Sequence, residues 1–144
     1  KLASKLGATH IINSLNNEPK SSILKITSNN GLDVFIDNTG IPKIIELGYT
    51  IVDGHGKVVL VGVPKKGQNI NIFSLPLHFG KTIHGSYGGE AKPGVDINRY
   101  LNLIKKKNIK LNKLITDRYS LLEINDAIQL MRSGKSSGRI MINL

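Results

Sequence analysis

The sequence predicts an α/β fold with a mainly parallel, doubly wound sheet, and three observations favour this class. Short apolar runs of strand length alternate with segments of helical periodicity along the 144 residues. The segments 57–64 and 84–89 each begin as an apolar run and end in small residues. Buried parallel strands have this composition where their carboxyl ends meet a ligand. No internal repeat or low-complexity linker interrupts the alternation.

Local start and stop signals delimit the predicted helices. Pro19 and Pro42 suit the first turn of two helices, which stop at Asn30–Gly31 and Asp53–Gly54. Ser120 and Glu123 have the spacing of a capping box, in which side chains and backbone amides bond reciprocally. Three further helices are predicted. The segment 1–6 is the end of a helix that stops at Gly7, and Asp96 caps a second helix. The third follows Glu123, has apolar residues at helical spacing and stops at Gly134.

The predicted strands are short apolar or alternating runs between these helices. Asp33 and Asp37 lie on one face of their strand, and exposure at the strand ends explains them better than an acid–base pair. The predicted strands, in order, are 9–13, 33–37, 58–63, 69–73, 82–85, 114–116 and 138–144.

Composition limits the class of protein. Hydrophobic residues make up 40% and charged residues 21%, as in a globular domain, and we expect one domain over 1–144. The longest apolar run, 58–63, is too short to cross a bilayer, and no secretory signal follows Lys1. The absence of cysteine excludes disulfides and thiolate zinc ligands within the chain and suits a cytoplasmic location. The absence of an initiator Met suggests that the chain begins inside a longer protein.

The net charge of +10 raises the question of nucleic-acid binding. Most of the basic residues are scattered lysines, and the cluster Lys105–Lys107 lies where a helix should end, so that it complements the helix dipole. Aromatic residues make up only 5% and are not interleaved with the lysines as stacking platforms. A solvated surface is the favoured interpretation, and a basic nucleic-acid-binding module is kept as an alternative.

Six motifs, taken in order and at their spacing, resemble the carboxyl-terminal half of a zinc-type medium-chain alcohol dehydrogenase. The opening segment 5–13 is also similar to that family, so the resemblance covers essentially the whole chain. The motifs are Phe35-Ile-Asp-Asn-Thr-Gly40, Val59-Leu-Val-Gly-Val-Pro64, Gly85-Ser-Tyr-Gly-Gly89, Leu114-Ile-Thr116, Glu123-Ile-Asn-Asp-Ala127 and Ser133-Gly-Lys-Ser-Ser-Gly-Arg139.

This resemblance implies a partial Rossmann-like domain whose first βαβ unit would lie upstream, and whose unpaired strand edge would make the chain poorly stable alone. It also implies NAD or NADP as cofactor and a small alcohol or aldehyde as substrate, with catalytic zinc bound outside this chain. Zinc would polarise the alcohol oxygen while hydride passes to the nicotinamide. The four histidines, His10, His55, His78 and His84, show no metal-ligand spacing.

The resemblance also implies the cofactor contacts. Val61, Gly62 and Val63 match the strand end that faces the nicotinamide carboxamide, and Ser86 and Tyr87 match the segment that completes this contact. A carboxamide needs a donor and an acceptor at fixed separation, which backbone groups at neighbouring strand ends supply. Thr39 and Gly40 match the family's turn beneath the adenosine. Arg139 matches an arginine that binds the cofactor pyrophosphate through its guanidinium group.

Two expectations concern the whole enzyme. The segment 69–73 resembles the edge strand that pairs across the two-fold axis of the family's dimers, so a homodimer or tetramer is expected. A zinc-independent quinone or enoyl reductase of the same superfamily would share this half-domain and is kept as an alternative. We expect the isolated chain to bind nucleotide feebly and to lack dehydrogenase activity.

Overall fold

The computed structural model describes residues 2–144, which form two compact units. The first, here called the central unit, spans Ile12–Ala91. The second, the terminal unit, combines the segment that ends at Ile11 with Lys92–Leu144. Both units hold helices and parallel strands, which confirms the predicted α/β class.

The central unit contains a three-stranded parallel sheet in the order β1-β2-β3. Its elements are α2 (Pro19–Ile26), β1 (Leu32–Asp37), α3 (Pro42–Ile51), β2 (Val52–Leu60) and β3 (Thr82–Gly85), with α1 (Leu2–Lys5) preceding them in the terminal unit. Glu18, not Pro19, is the N-cap of α2, and its carboxylate accepts hydrogen bonds from the amides of Lys20 and Ser21. Pro19 occupies the first turn as predicted, because its missing N–H is not needed there.

The core of the central unit lies between α3 and one face of the sheet. Tyr49, Val52 and Val58 form a buried cluster, to which Phe35 and Ile83 contribute from the neighbouring strands. Phe35, Val58 and Ile83 lie side by side in the register of the sheet and therefore share this face. Complete burial of a side chain of this size contributes roughly 1.5–3 kcal/mol, so this face holds the unit together.

The strand β1 lies at an edge of the sheet, and its other face is open. Its outer backbone groups pair with no strand in the described part of the chain. Val34 and Ile36 point away from α3 and are exposed, although parallel sheets are normally covered on both faces. This is the unpaired edge that the resemblance predicts for a chain without the family's first βαβ unit.

The terminal unit contains a two-stranded parallel sheet, here formed by β4 (Ile115–Ser120) and β5 (Arg139–Asn143). Its other helices are α4 (Pro93–Lys106) and α5 (Ile124–Arg132). The capping box of Ser120 and Glu123 is present immediately before α5, as predicted. Lys105 and Lys106 occupy the last turn of α4, where cations complement the helix dipole.

Several predicted elements and bounds differ from the structure, among them the helix stop at Asp53–Gly54, which lies inside β2, and the strand 114–116, which begins at Ile115 and continues to Ser120. Segments 9–13 and 69–73 form no strand, because neither has a neighbouring strand with which to pair in the described structure. The predicted strand 58–63 begins earlier and ends at Leu60, so 61–63 lie beyond its end. Asp96 is not the cap of α4, which begins at Pro93; its carboxylate instead accepts a hydrogen bond from the N-cap amide of Lys92.

Candidate functional site

The carboxyl ends of β1, β2 and β3 meet at one edge of the central sheet. Asp37 pairs in register with Leu60, and Leu60 pairs with Gly85, and these three are the last residues of their strands. Because the strands are parallel, the chain leaves all of them at the same edge. Ligands of open α/β sheets bind outside such carboxyl ends.

Backbone hydrogen bonds fix the three segments that follow these strands. The amides of Val61 and Gly62 both donate to the carbonyl oxygen of Asp37, at 2.7 and 2.9 Å. The amide of Ser86 donates to the carbonyl oxygen of Leu60 at 2.8 Å. The structure therefore brings seven predicted site residues into three neighbouring loops: Thr39, Gly40, Val61, Gly62, Val63, Ser86 and Tyr87.

Two glycines allow the first pair of loops to interlock. A Cβ added at Gly40, whose φ is +68°, would lie 2.5 Å from the carbonyl carbon of Val63. A Cβ added at Gly62 would lie closer than 3.0 Å to backbone atoms of Asn38, Thr39 and Gly40. No side chain fits at either position, so glycine is required for the contact between these loops.

Asp37 organises the turn that enters α3. Its side chain is 1% exposed, and its carboxylate accepts hydrogen bonds from the amides of Thr39 and Gly40 and from the Thr39 hydroxyl. Burial alone would raise the pKa of Asp37, but these hydrogen bonds, led by that of the Thr39 hydroxyl, outweigh it and hold the pKa below its usual value. The expected exposure of Asp37 at a strand end is therefore wrong, because the chain folds back over the carboxylate. A carboxylate two residues before a Thr-Gly turn was the signal in the sequence.

The other loops present free backbone groups. Val63 and Tyr87 are 88% and 94% exposed, so neither of these two side chains is packed against the edge. Within residues 2–144, no hydrogen bond is made by the amides of Val63 and Tyr87 or by the carbonyl oxygens of Val61 and Ser86. These groups include both donors and acceptors, which is what a carboxamide requires. The residues present thus fit the nicotinamide end of a dinucleotide.

Arg139 lies in the terminal unit, as the first residue of β5. It is exposed and lines a cavity of about 370 Å³ that this unit forms by itself, together with Leu2, Ala3, Leu6, Leu114, Ser137 and Gly138. Arg139 belongs to the terminal unit and the sheet edge to the central unit, so the predicted contact of Arg139 with pyrophosphate stays a prediction.

A second cavity lies beside the candidate site. Its volume is about 440 Å³, and Gly62 and Leu60 form part of its wall. The other lining residues come from the start of α3 and from the chain after Val63: Pro42, Ile45, Pro64, Gln68, Asn69 and Ile70. Of the predicted site residues, only Gly62 lines this cavity; Thr39, Val63, Ser86 and Tyr87 do not.

Residues 2–144 offer neither a cluster of metal ligands nor a membrane-spanning helix. No three side chains of His, Asp or Glu come close enough together to hold a metal ion. None of the helices described is both long and apolar enough to span a bilayer.

Comparison with known proteins places this geometry in a family. A family model described as zinc-binding dehydrogenase matches residues 1–106. The chain belongs to the zinc-binding dehydrogenase family. Alcohol dehydrogenase 2 of Zea mays is 33% identical over 141 residues, which cover 96% of this chain and 37% of the maize protein. Alcohol dehydrogenase 2 of Oryza sativa subsp. japonica is 34% identical over the same length. The predicted resemblance is therefore confirmed.

Solved structures agree with this assignment. Benzyl alcohol dehydrogenase from Acinetobacter calcoaceticus superposes with a TM-score of 0.86 at 32% identity, covering 99% of this chain and 39% of that protein. A putative zinc-binding dehydrogenase from Sinorhizobium meliloti 1021, solved bound to NADP, gives a TM-score of 0.74 at 25% identity, over 88% of this chain and 37% of the other. This zinc-binding dehydrogenase chain thus spans little more than a third of the length of the relatives it matches.

Proposed function

We propose that this chain is part of an NAD(P)-dependent alcohol dehydrogenase and supplies the backbone groups that hold the nicotinamide end of the cofactor. The observation that carries the proposal is the convergence of three parallel strand ends, followed by loops that hold amides and carbonyls without hydrogen bonds. We include residues 1–144 in the proposed dinucleotide-binding part of the enzyme.

The role of each loop follows from its free groups. The amides of Val63 and Tyr87 would donate to the carboxamide oxygen, and the carbonyls of Val61 and Ser86 would accept from its NH2 group. Because Gly62 has no side chain, its loop lies directly against residues 38–40, and this contact would hold the neighbouring free backbone groups in place. When bound, the nicotinamide would accept or give up the hydride, and the residues of this chain would orient its ring.

The remaining assignments extend this proposal. Thr39 and Gly40 would contact the adenosine part of the cofactor, and Arg139 would pair with its pyrophosphate through the planar guanidinium group. The relatives named above are alcohol dehydrogenases, so a small alcohol or aldehyde is the proposed substrate class, with NAD or NADP as cofactor. Zinc would be held outside this chain.

The segment 69–73 is proposed to take part in a homodimer or tetramer. It forms no strand by itself, but α3 holds it in place: Glu46 Oε1 accepts from the amide of Asn71 at 2.7 Å, and the Tyr49 hydroxyl donates to the carbonyl of Phe73 at 2.7 Å. Phe73 is 70% exposed. A partner strand could therefore pair with a segment that is already fixed. The cytoplasmic location stays a prediction from the cysteine-free sequence.

Titration of the chain with NADH, followed by cofactor fluorescence, tests the proposed binding. We expect a dissociation constant on the order of 1 mM, because the other dinucleotide contacts of the family would lie outside the chain. Replacing the exposed Val63 by Glu places a negative charge beside the dinucleotide and should weaken binding. Val34→Glu, at an exposed position of the same sheet, should leave it unchanged. Equal loss in both variants, or no binding by the wild-type chain, would contradict the proposal.

Activity is tested separately. We expect no alcohol-dependent formation of NADH by the chain alone, because none of the residues assigned here performs a bond-making step. Turnover well above background would refute this part of the proposal.

A further inference from the structure

We propose that Asp37 is a positioning residue that fixes the Thr39 hydroxyl as a hydrogen-bond acceptor, so that this turn binds a ligand hydroxyl or amine and not a phosphate. The inference rests on the proposed function, because it concerns the part of the cofactor that meets Thr39. It assigns a role to a buried carboxylate that makes no direct contact with the proposed nicotinamide position.

The Asp37 carboxylate already occupies the donors of the turn. Oδ1 accepts from the Thr39 amide at 3.1 Å and from the Thr39 hydroxyl at 2.6 Å, while Oδ2 accepts from the Gly40 amide at 2.9 Å. The next amide, that of Ile41, donates to the Thr39 hydroxyl oxygen at 3.1 Å. The three successive amides at the entry to α3 therefore all have partners inside the protein.

This arrangement removes the anion site that such a position normally provides. Free amides at the start of a helix bind phosphate because they point towards it and the helix dipole favours negative charge. Here the amides of residues 39–41 are used, and Pro42 at the first helical position has no N–H. At residues 39–41 the buried carboxylate and the Thr39 hydroxyl take the place of an anion, so a phosphate approaching this turn would meet no free amide there and would be repelled by the carboxylate.

The Thr39 hydroxyl is left with a single function. A hydroxyl has one hydrogen to donate and two lone pairs to accept with. Its hydrogen goes to Asp37 and one lone pair goes to Ile41, so one lone pair remains. Thr39 is an exposed residue, so this turn is open to a ligand. Only a group that donates, such as a ribose hydroxyl or an adenine amine, can use the remaining lone pair.

Asp37 also connects this turn with the second loop through its own carbonyl oxygen, which accepts from the amides of Val61 and Gly62. Its side chain and its backbone therefore hold both interlocked loops in one arrangement. Loss of the carboxylate should disturb residues on both sides of the contact.

The first experiment examines Asp37 without any ligand. Amide NMR spectra and hydrogen exchange are recorded for the full chain and for its Asp37→Asn and Asp33→Asn variants. Asparagine retains the size of the side chain but replaces one acceptor by a donor, so the amides of Thr39 and Gly40 should shift, and that of Gly40 should exchange at least about tenfold faster. Asp33→Asn, on the same strand but exposed, should change neither. Unchanged amides at 39 and 40 in Asp37→Asn would overturn the positioning role.

The second experiment examines the ligand class with adenosine, NAD+ and inorganic pyrophosphate as probes. Thr39→Val, which keeps the shape of threonine without its hydroxyl, should weaken adenosine and NAD+ binding about three- to tenfold, the worth of one hydrogen bond. Thr39→Ser should retain wild-type affinity, and pyrophosphate binding should be the same in all three chains. Equal weakening of pyrophosphate, or no rescue by serine, would overturn the assignment of the hydroxyl.

The two experiments separate this inference from the proposed function. If the wild-type chain binds none of the three probes, the proposed function and the ligand class both fail. The amide shifts of Asp37→Asn would still decide whether Asp37 positions the turn. If adenosine binds normally to Thr39→Val while NADH binds to the chain, the proposed function stands and the role of Thr39 fails.

Discussion

Replacement of Lys81 by Met is the most informative single perturbation of the central unit. Lys81 precedes β3 and is 8% exposed, and its Nζ donates hydrogen bonds to the carbonyl oxygens of Tyr49 and Val52, both at 2.9 Å. The ammonium group also lies 4.9 Å from the centroid of the Tyr49 ring. It thereby satisfies carbonyls at the end of α3 and connects this helix to the sheet.

The size of the effect follows from these contacts. Each buried carbonyl left without a partner costs about 1–3 kcal/mol, and the lost cation–π contact adds about 0.5–1 kcal/mol. Methionine, however, no longer requires a buried charge to be desolvated, which returns part of this loss. We expect Lys81→Met to lower the free energy of unfolding by about 2 kcal/mol. For a unit of this size, that corresponds to a melting temperature lower by about 8–16 °C.

The pH dependence provides a second readout. Burial lowers the pKa of Lys81, and the nearby Asp53 only partly opposes this shift. Between the lowered value and the unfolded value of 10.5, the unfolded chain binds more protons, so wild-type stability should rise with pH. The slope from this group cannot exceed about 1.4 kcal/mol per pH unit. The variant lacks this contribution, so its deficit should grow as the pH rises through this range.

Urea unfolding followed by circular dichroism between pH 7 and 10.5 measures both quantities. Lys57→Met, at an exposed position of β2, is the matched control and should change stability by less than about 0.5 kcal/mol. A loss in Lys81→Met no greater than that of the control, or a deficit that shrinks as the pH rises, would refute the reasoning.

Three further predictions concern the loops and helices. Gly62→Ala should lower the free energy of unfolding by about 1–3 kcal/mol, because its methyl group would force apart loops that already touch; urea unfolding measures this. Tyr49→Phe should cost about 1 kcal/mol and speed hydrogen exchange near Phe73, because the hydrogen bond to that carbonyl is lost. Hydrogen bonds from the backbone and hydroxyl of Ser120 lower the pKa of Glu123. The Glu123 carboxylate therefore stabilises the start of α5 above its usual pKa, and this stabilisation is lost as the pH falls through the lowered pKa. An NMR titration of the Ser120 amide measures this loss.

Each of these predictions has a control within the chain. Gly54→Ala meets open space and should be tolerated, so an equal loss there would remove the steric argument for Gly62. The hydroxyl of Tyr119 has no hydrogen-bond partner among the described residues, and Tyr119→Phe should be neutral. In Glu123→Gln, the amide of Ser120 should no longer titrate in acid. A titration that persists would show that another group is responsible.

Features that depend on nearby residues in the sequence could be predicted from it. The capping box of Ser120 and Glu123 lies where its spacing indicated, and the helix that Pro42 begins runs from that residue. Chain order also indicated that the segments of Val61–Val63 and Ser86 meet at one edge, because parallel strands of one sheet end there, although residues 61–63 follow β2 and are not its last residues. These features depend only on residues near one another, so they form in a chain that matches only part of its relatives.

Features that depend on a partner could not be predicted in the same way. The segments 9–13 and 69–73 have the alternation of strands, but a strand exists only where another strand offers it hydrogen bonds. Asp37 and Lys81 are charged residues, which are normally exposed, and only the folded turn and the end of α3 supply the groups that make their burial stable. The Thr39–Gly40 turn after Asp37 was a signal for its partners, whereas the position of Lys81 in the sequence does not reveal the groups around it.

An amide NMR titration of the chain with NADH tests the central claim most directly. Free backbone groups at the carboxyl ends of β1–β3 are proposed to hold the cofactor, so the largest shifts should occur at Val63 and Tyr87, with smaller ones at Thr39 and Gly40. Saturable shifts at these positions would support the account. Shifts confined to the lysine-rich segment 105–113, or their absence at millimolar NADH, would contradict it.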